Sequence, residues 1–528
     1  MAAAFALSPS GCEKGAAPDH APDADRSAAA VVPAVGVVHA DPTTADPTAD
    51  GRPPPRHPEE GHPEAARLGL WSESFDWPVL PVHAHVIPDG TLLSWGVNGE
   101  GNLPGWTDAS LWDPTRGRFA VLREDSTNLF CAGHTLLPDG RLLVAGGHLS
   151  GGPLPVAGGH PDQGAGAPDV TVFDPRARTW TKAGRMNAGR WYPGVTLLAN
   201  GDVLILGGMV RAREMNALPQ VWSSPDRLRD LPGAVRRLPN YPWTFLAPNG
   251  QVFLAGPQRQ SSYLDTNGRG SLTAVAAHVH PRGREYGSAV MYDEGKVLVV
   301  GGGDPPTATA EVIDLAEAEP RWRLTAPMSA PRRQLNATLL ADGTVLVTGG
   351  TRAPGHSDPA GTVLDVELWD PATERWTTLA PLSQDRLYHS SAVLLPDGRV
   401  LTGDGTRQRA EIYSPPYLFV RDGSPALRPR LDDAPERVGY GEAFLVASPD
   451  AGRIARVNLI RLSSTTHGLN LQQRLNRLPF ERAAGDDGEV RLRVRAPAGR
   501  RLAPPGHYLL FLLDGEGVPS AGRILRIG

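Results

Sequence analysis

Thr135–Gly147 reads TLLPDGRLLVAGG. Two short apolar runs flank a proline, an aspartate and Gly140, and the stretch ends on a pair of glycines. Val, Leu and Ala on both sides of an Asp-Gly step predict a β-hairpin, because glycine takes the positive φ that a tight turn between strands demands. Six further copies follow the same plan: HVIPDGTLLSWG, TLLANGDVLILGG, FLAPNGQVFLAGP, VMYDEGKVLVVGGG, TLLADGTVLVTGG and VLLPDGRVLTGDG. Their turn glycines are Gly90, Gly140, Gly201, Gly250, Gly295, Gly343 and Gly398.

The glycines recur every 45 to 61 residues, near the nominal length of about 50 for a kelch-type propeller blade. Several copies continue into a third strand and a tryptophan, as in VFDPRARTW, VIDLAEAEPRW and LWDPATERW. The expectation is an all-β chain: a seven-bladed kelch-type β-propeller over residues 67–420. The seventh copy lacks an outer strand. GLWSESFDWPVLP, from Gly69 to Pro81, resembles the stretch ERWTTLAPL and is expected to supply it, closing the ring and removing its open edge. Residues 421–528 do not repeat. Alternating runs such as EAFLVAS, VNLIRLS, VRLRVRA and HYLLFLLD predict a small antiparallel, immunoglobulin-like sandwich.

Residues 1–66 are rich in Ala, Pro, Asp, His and Gly and are expected to be a disordered tail, since they offer little apolar surface to bury. The chain carries 52 Lys plus Arg against 57 Asp plus Glu, a net charge of −5. That balance gives no reason to expect a nucleic-acid partner. No apolar run is long enough for a transmembrane segment. The N-terminus has neither a basic stretch nor an apolar stretch of signal-peptide type. Only two cysteines occur, Cys12 in the tail and Cys131 at the head of the second copy. The plain reading of Cys131 is a small buried hydrophobe.

Aligning the copies on their turn glycines gives Cys131 a second reading. Nine residues before the glycine, at the start of each innermost strand, stand Cys131, Tyr192, Tyr241, Tyr286, Gln334 and His389. Equivalent positions of a propeller cluster at one mouth of the central channel, so these six are expected to form a polar ring. Side chains alternate along a strand, so Tyr388 and His389 both point inward only where the strand start is bent or bulged. His83 and His85 share the parity of the ring and are rival candidates.

NLFCAGH, RWYPG, LYHSSAVLLPDGRV, SPPYLF and TTHGLNLQQR occur in this order, and with them residues 70 to 528 resemble the copper-radical oxidases, the galactose oxidase and glyoxal oxidase family. The resemblance implies one copper ion held by Tyr192, Tyr388, His389 and His467, the last on a loop from the sandwich. It implies a thioether between Cys131 and Tyr192 as a protein-derived radical cofactor, with Tyr388 as general base. The activity implied is oxidation of a primary alcohol or aldehyde by dioxygen, releasing hydrogen peroxide, on a small-molecule or glycan substrate. Two imidazoles and two phenolates form a donor set suited to tetragonal copper. A secreted or cell-envelope location is also implied, although no signal peptide is visible.

The family's tryptophan over the thioether lies in the loop after the radical tyrosine. Here that loop reads GGMVRAREMNA, which leaves Trp95, Trp106 and Trp243 as candidates from other blades. The long loop Gly147–Asp169 is expected to shape the pocket; its His148 and His160 are expected to be solvated loop residues, with contact at the pocket rim as the alternative. The alternative function is a catalytically silent kelch propeller used as a glycan- or protein-binding scaffold. No nucleophile–base motif supports a third reading, a metal-free hydrolase.

Overall fold

The computed structural model describes residues 62–97, 105–149, 165–211, 213–471, 473–484 and 490–528. Seven antiparallel sheets, each with four strands or more, form the blades of a propeller. Their innermost strands are His83–Val86, Gly133–Leu136, Trp191–Leu197, Trp243–Leu246, Ser288–Asp293, Asn336–Leu339 and Ser391–Leu394.

The turn joining the inner two strands shows why the repeat needs Asp or Asn before glycine. In Leu137–Gly140 the Gly140 N–H donates to Leu137 O at 3.0 Å, with Gly140 at φ 93°. Asp139 Oδ1 accepts the N–H of Arg141 at 3.1 Å. Only the glycine of the pair has positive φ, so the turn is a type I turn followed by a left-handed residue.

The seventh blade is completed from the front of the chain. Leu70–Trp71 and Phe75–Asp76 pair antiparallel with Arg409–Ser414, with Trp71 opposite Tyr413 and Phe75 opposite Ala410. This is the closure the pattern predicts. Of the expected tail, residues 1–61 lie outside the described residues, and the described part starts at His62. His62 N–H donates to Gly423 O at 3.1 Å, and Ala65, at the head of the short helix Ala65–Leu68, is buried against Leu418 and Phe419. A small apolar contact there outweighs the polar composition around it.

Three blades carry a fully buried ion pair. Arg284, Arg332 and Arg386 precede the inner strands of the fifth, sixth and seventh blades and reach Glu311, Glu367 and Glu411 on the third strands. In the third blade Arg190 meets the carbonyls of Gly207 and Leu218, and Gln220 stands in for the glutamate. These pairs pin each strand head to its own blade, just behind the channel mouth.

Beyond the propeller, a five-stranded sheet has the order Arg437–Val438, Arg523–Ile527, Gly506–Asp514, Ile454–Arg461, Leu475–Arg477. It faces a three-stranded sheet of Ala443–Ala447, Val490–Arg495 and Phe480–Ala484 across a core that includes Val446, Leu459, Leu492 and Leu510. Among the described residues no helix is long and apolar enough to cross a membrane.

Candidate metal centre

Cys131, Tyr192, Tyr241, Tyr286, Gln334 and His389 share one unusual backbone state, with φ between 46° and 72°. Non-glycine residues seldom adopt this left-handed conformation, and it clusters at functional sites. It breaks the strand alternation at the inner strand heads of blades two to seven. Two consecutive side chains then stack instead of facing apart: Tyr388 and His389 at 3.8 Å between ring centroids, and Trp191 and Tyr192 at 4.7 Å. The heads are also tied to each other. Tyr192 N–H donates to Cys131 O at 2.9 Å, and Tyr241 N–H to Tyr192 O at 2.9 Å.

His467 arrives from the sandwich. Ser464–Thr466 leaves it, enters the channel and pairs with His83–Val86, extending the first blade inward, and Leu469–Asn470 returns beside it. Between them His467 (φ 50°) and Gly468 (φ 77°) form the two-residue turn with both φ positive that a tight hairpin favours. Ser288 Oγ donates to Gly468 O at 2.6 Å, and Leu339 N–H donates to Gln473 Oε1 at 2.9 Å, holding the insert from two further blades.

The side chains converge. Tyr192 Oη and Tyr388 Oη are 2.8 Å apart. Cys131 Sγ lies 3.4 Å from His467 Nε2, and the ligand atoms of Cys131, His389 and His467 all fall within 4.8 Å of one another. The His389 and His467 rings are 4.6 Å apart. Thr466 Oγ1 holds His467 Nδ1 at 2.5 Å, leaving Nε2 for the site.

Burial drives the electrostatics. It lowers the His389 pKa to about 3 and pushes His467 well below the usual imidazole value. It raises the Tyr192 and Tyr388 phenols well above theirs, and the Cys131 thiol likewise. Every donor is therefore neutral, and His389 Nε2 is buried without a hydrogen-bond partner. Two imidazoles and two phenols around an orphaned nitrogen fit a copper ion, whose charge would ionise a phenol where burial alone forbids it.

The other ring members surround this group without adding a donor to it. Tyr241 Oη donates to Ala132 O at 3.1 Å, Gln334 Nε2 bonds His356 O, and Arg333 lies over the Tyr286 ring. His83 and His85 are fully buried, and both stack on Trp95. Neither belongs to the ligand cluster. Trp106 is exposed beneath Arg123, and Trp243 lines the cavity beside Tyr192. The ring stacked on Tyr192 is Trp191, its own chain neighbour. An alternating strand would have sent the two apart, so only the left-handed bend places Trp191 there. His148 packs on the far partner of that stack, 5.1 Å from Trp191, and His160 lies outside the described residues.

A family model described as "Glyoxal oxidase N-terminus" matches residues 106–417, more than half of the chain, and one described as "Galactose oxidase-like, Early set domain" matches residues 428–527. The chain belongs to the copper-radical oxidases. The oxidase is 26% identical over 509 residues to a galactose oxidase of Gibberella zeae, covering 87% of this chain and 71% of that protein. It is 29% identical over 450 residues to aldehyde oxidase GLOX of Vitis pseudoreticulata, covering 76% and 82%. A solved fungal alcohol oxidase in complex with copper superposes with a TM-score of 0.78 at 27% identity, covering 87% of this chain and all of that one. Copper is the cofactor these relatives support, and they do not favour a silent scaffold.

Proposed function

We propose that Tyr192, Tyr388, His389 and His467 hold a single copper and that a Cys131–Tyr192 thioether carries the radical. In this reading residues 67–420 are the catalytic propeller and residues 421–528 the sandwich that lends it one ligand. The observation that carries the assignment is the orphaned, buried His389 Nε2 beside Tyr388, with His467 and Tyr192 brought in from other parts of the chain. When bound, copper supplies a one-electron acceptor beside a redox-active tyrosine.

The chain's own groups do the rest. Tyr388 Oη, ionised by the cation, accepts the hydroxyl proton of an alcohol or aldehyde hydrate. Tyr192 takes the hydrogen from the carbinol carbon. Two protons and two electrons leave the substrate, and dioxygen carries them away as hydrogen peroxide. The indole of Trp191 covers one face of Tyr192 and limits its contact with water.

A cavity of about 120 Å³ opens onto this group, walled by Tyr192, Tyr241, Trp243, Tyr286 and Tyr388, with Asn240, Glu285 and His467 among its polar members. Its size and aromatic walls suit an alcohol or aldehyde of a few carbon atoms better than a whole glycan. The test is copper titration of the metal-free protein followed by a peroxide assay over two- to six-carbon alcohols and aldehydes. One copper per chain and turnover that falls with substrate size support the reading. A protein that binds copper tightly yet releases no peroxide with any of them overturns it.

A further inference from the structure

His83, on the innermost strand of the first blade, has no exposed surface. Its Nε2 accepts the backbone N–H of Cys131 at 3.1 Å. An amide has only a proton to give, so Nε2 is unprotonated and the ring carries its proton on Nδ1. That Nδ1–H donates to His134 Nε2 at 3.0 Å. His134 is thereby fixed in the same tautomer, and its Nδ1–H donates to Ser464 Oγ at 2.8 Å. Ser464 Oγ in turn lies 3.0 Å from His85 Nδ1. If the hydroxyl donates to His85, one group in the chain lacks a partner, His85 Nε2. The opposite direction orphans the serine proton as well, and a buried donor left unpaired bears its full desolvation cost. The relay therefore runs from the Cys131 amide through His83, His134 and Ser464 to His85. Burial keeps all three imidazoles neutral.

This relay joins three pieces of chain that meet only in the folded channel. His83 and His85 belong to the first blade, Cys131 and His134 to the second, and Ser464 to the hairpin that ends in His467. The Cys131 amide belongs to a residue at φ 58°, ahead of its strand's ladder, and a histidine nitrogen takes the place of a ladder carbonyl. Trp95 lies flat on the His83 ring, 10° from parallel, and its own Nε1–H is anchored on Leu129 O at 3.1 Å. The acceptor is thus held in position and orientation.

We propose that His83 is a positioning residue for formation of the thioether. By holding the Cys131 amide it maintains the left-handed turn that delivers Sγ to Tyr192, and through His134 and Ser464 it registers the His467 hairpin against that turn. The inference rests on the thioether reading above. Joining Cys131 Sγ to a Tyr192 ring carbon breaks one S–H and one aromatic C–H bond and releases two protons and two electrons. Dioxygen, the oxidant of the proposed reaction, takes both as hydrogen peroxide. His83 appears nowhere in that balance, so its contribution is geometric.

The test is a mass-spectrometric time course of the full chain after aerobic copper loading, reading the loss of two hydrogens, with copper stoichiometry measured in parallel. His83→Phe keeps a ring on Trp95 but offers no acceptor, and it should cross-link roughly tenfold more slowly or worse, the scale expected for removing a group that orients a site residue, while still binding one copper. His83→Gln, whose carbonyl can accept the amide proton, should recover most of the rate. Ser464→Ala should fall between them. A purely structural role would instead lower melting temperature and copper stoichiometry together and leave the cross-linking rate of the folded fraction unchanged, which overturns the proposal. Should His83→Phe fail to fold, the other two decide: a near-normal rate in His83→Gln with a slowed Ser464→Ala sustains it, and equal rates overturn it. A wild-type protein that never loses two hydrogens removes the thioether reading itself, and the role of His83 with it.

Discussion

Tyr192 Oη and Tyr388 Oη stand 2.8 Å apart across the channel mouth, although the two residues are 196 positions apart in sequence. Burial holds both phenols protonated, well above the usual tyrosine pKa. Two neutral phenols and two neutral imidazoles, one with an unpartnered nitrogen, form a donor set that fits a copper ion. The consequences can be measured residue by residue.

His467 is the ligand candidate with the longest route to the site. Its hairpin tip leaves the sandwich and ends between the propeller blades. His467→Ala should weaken copper binding by more than the ~10–100-fold typical of losing a mere supporting partner. Calorimetric titration of copper into the metal-free variant is the check. Wild-type affinity would show that the inserted hairpin is structural.

Gly468 tests the same hairpin without touching a donor atom. At φ 77° an L side chain is strained, and an added Cβ would stand 2.4 Å from Leu335 O. Gly441 is a matched control: φ is 69°, but nothing lies within 4 Å. Gly441→Ala should cost only the backbone term, about 1–2 kcal/mol. Gly468→Ala should cost more and should also reduce copper affinity, because the clash displaces His467. Thermal melts and copper titrations of the two variants separate strain from displacement.

The ring positions were legible because one repeated turn glycine fixes the register of every blade, and the side-chain set at that register is chemically odd. The backbone state at those positions was not legible. Tyr192 and His389 look like ordinary strand residues until their φ is seen, and so Trp191 reads as facing away when in fact it covers Tyr192. The His83 relay was hidden for a different reason: Ser464 and His83 are neighbours only through the inserted hairpin, and no local pattern brings them together. The Arg–Glu pairs did leave a signal in the fifth, sixth and seventh blades, an arginine shortly before the inner strand and a glutamate on the third, but it becomes meaningful only once the blades are closed. Residues 62–66 read as tail by composition, yet Ala65 is buried against Leu418 and Phe419 and His62 is hydrogen-bonded to Gly423.

The buried pairs make a prediction about acid. Burial alone would raise the Glu311 carboxyl. The adjacent His278 ring, 3.5 Å away, the Arg284 hydrogen bond and charge, and the His280 backbone N–H override it and hold the pKa at about 2. A carboxylate whose folded pKa is depressed stabilises the fold above its unfolded value, near 4.5, and that stability is lost as pH falls from there through about 2. The full loss is of the order of 3 kcal/mol. Glu311→Gln should therefore flatten the melting-temperature profile between pH 5 and 2 relative to wild type. At neutral pH it should be less stable by roughly 3–5 kcal/mol, because Arg284 keeps a buried charge without its partner. Parallel slopes for both proteins would mean that other carboxylates govern the acid limb.

The seam of the ring offers the last test. The segment from Leu70 to Trp77 is shared among three blades. Trp71 lies on Tyr413 of the seventh blade, 4.8 Å between centroids, and its Nε1–H donates to Ala380 O at 2.9 Å beside the sixth. Trp77 gives its backbone N–H to Gln408 O of the seventh blade but turns its ring into the first, against Trp112 and Phe119, with Nε1–H on Ser94 Oγ at 2.8 Å. Trp77→Ala should thus cost about 3–5 kcal/mol, the range for emptying a buried tryptophan site. A chain beginning at residue 82 loses the outer strand as well, and the third strand Arg409–Ser414 then presents an unpaired edge. Tyr388 and His389 stand at the head of the innermost strand of that same blade, so copper affinity should fall with stability in the truncated chain. Trp71→Ala, which leaves the strand pairing in place, should lower the melting temperature with little effect on copper. If the truncated chain binds copper as the full chain does, the seventh blade holds its inner strand without its outer one, and the seam does not support the metal centre.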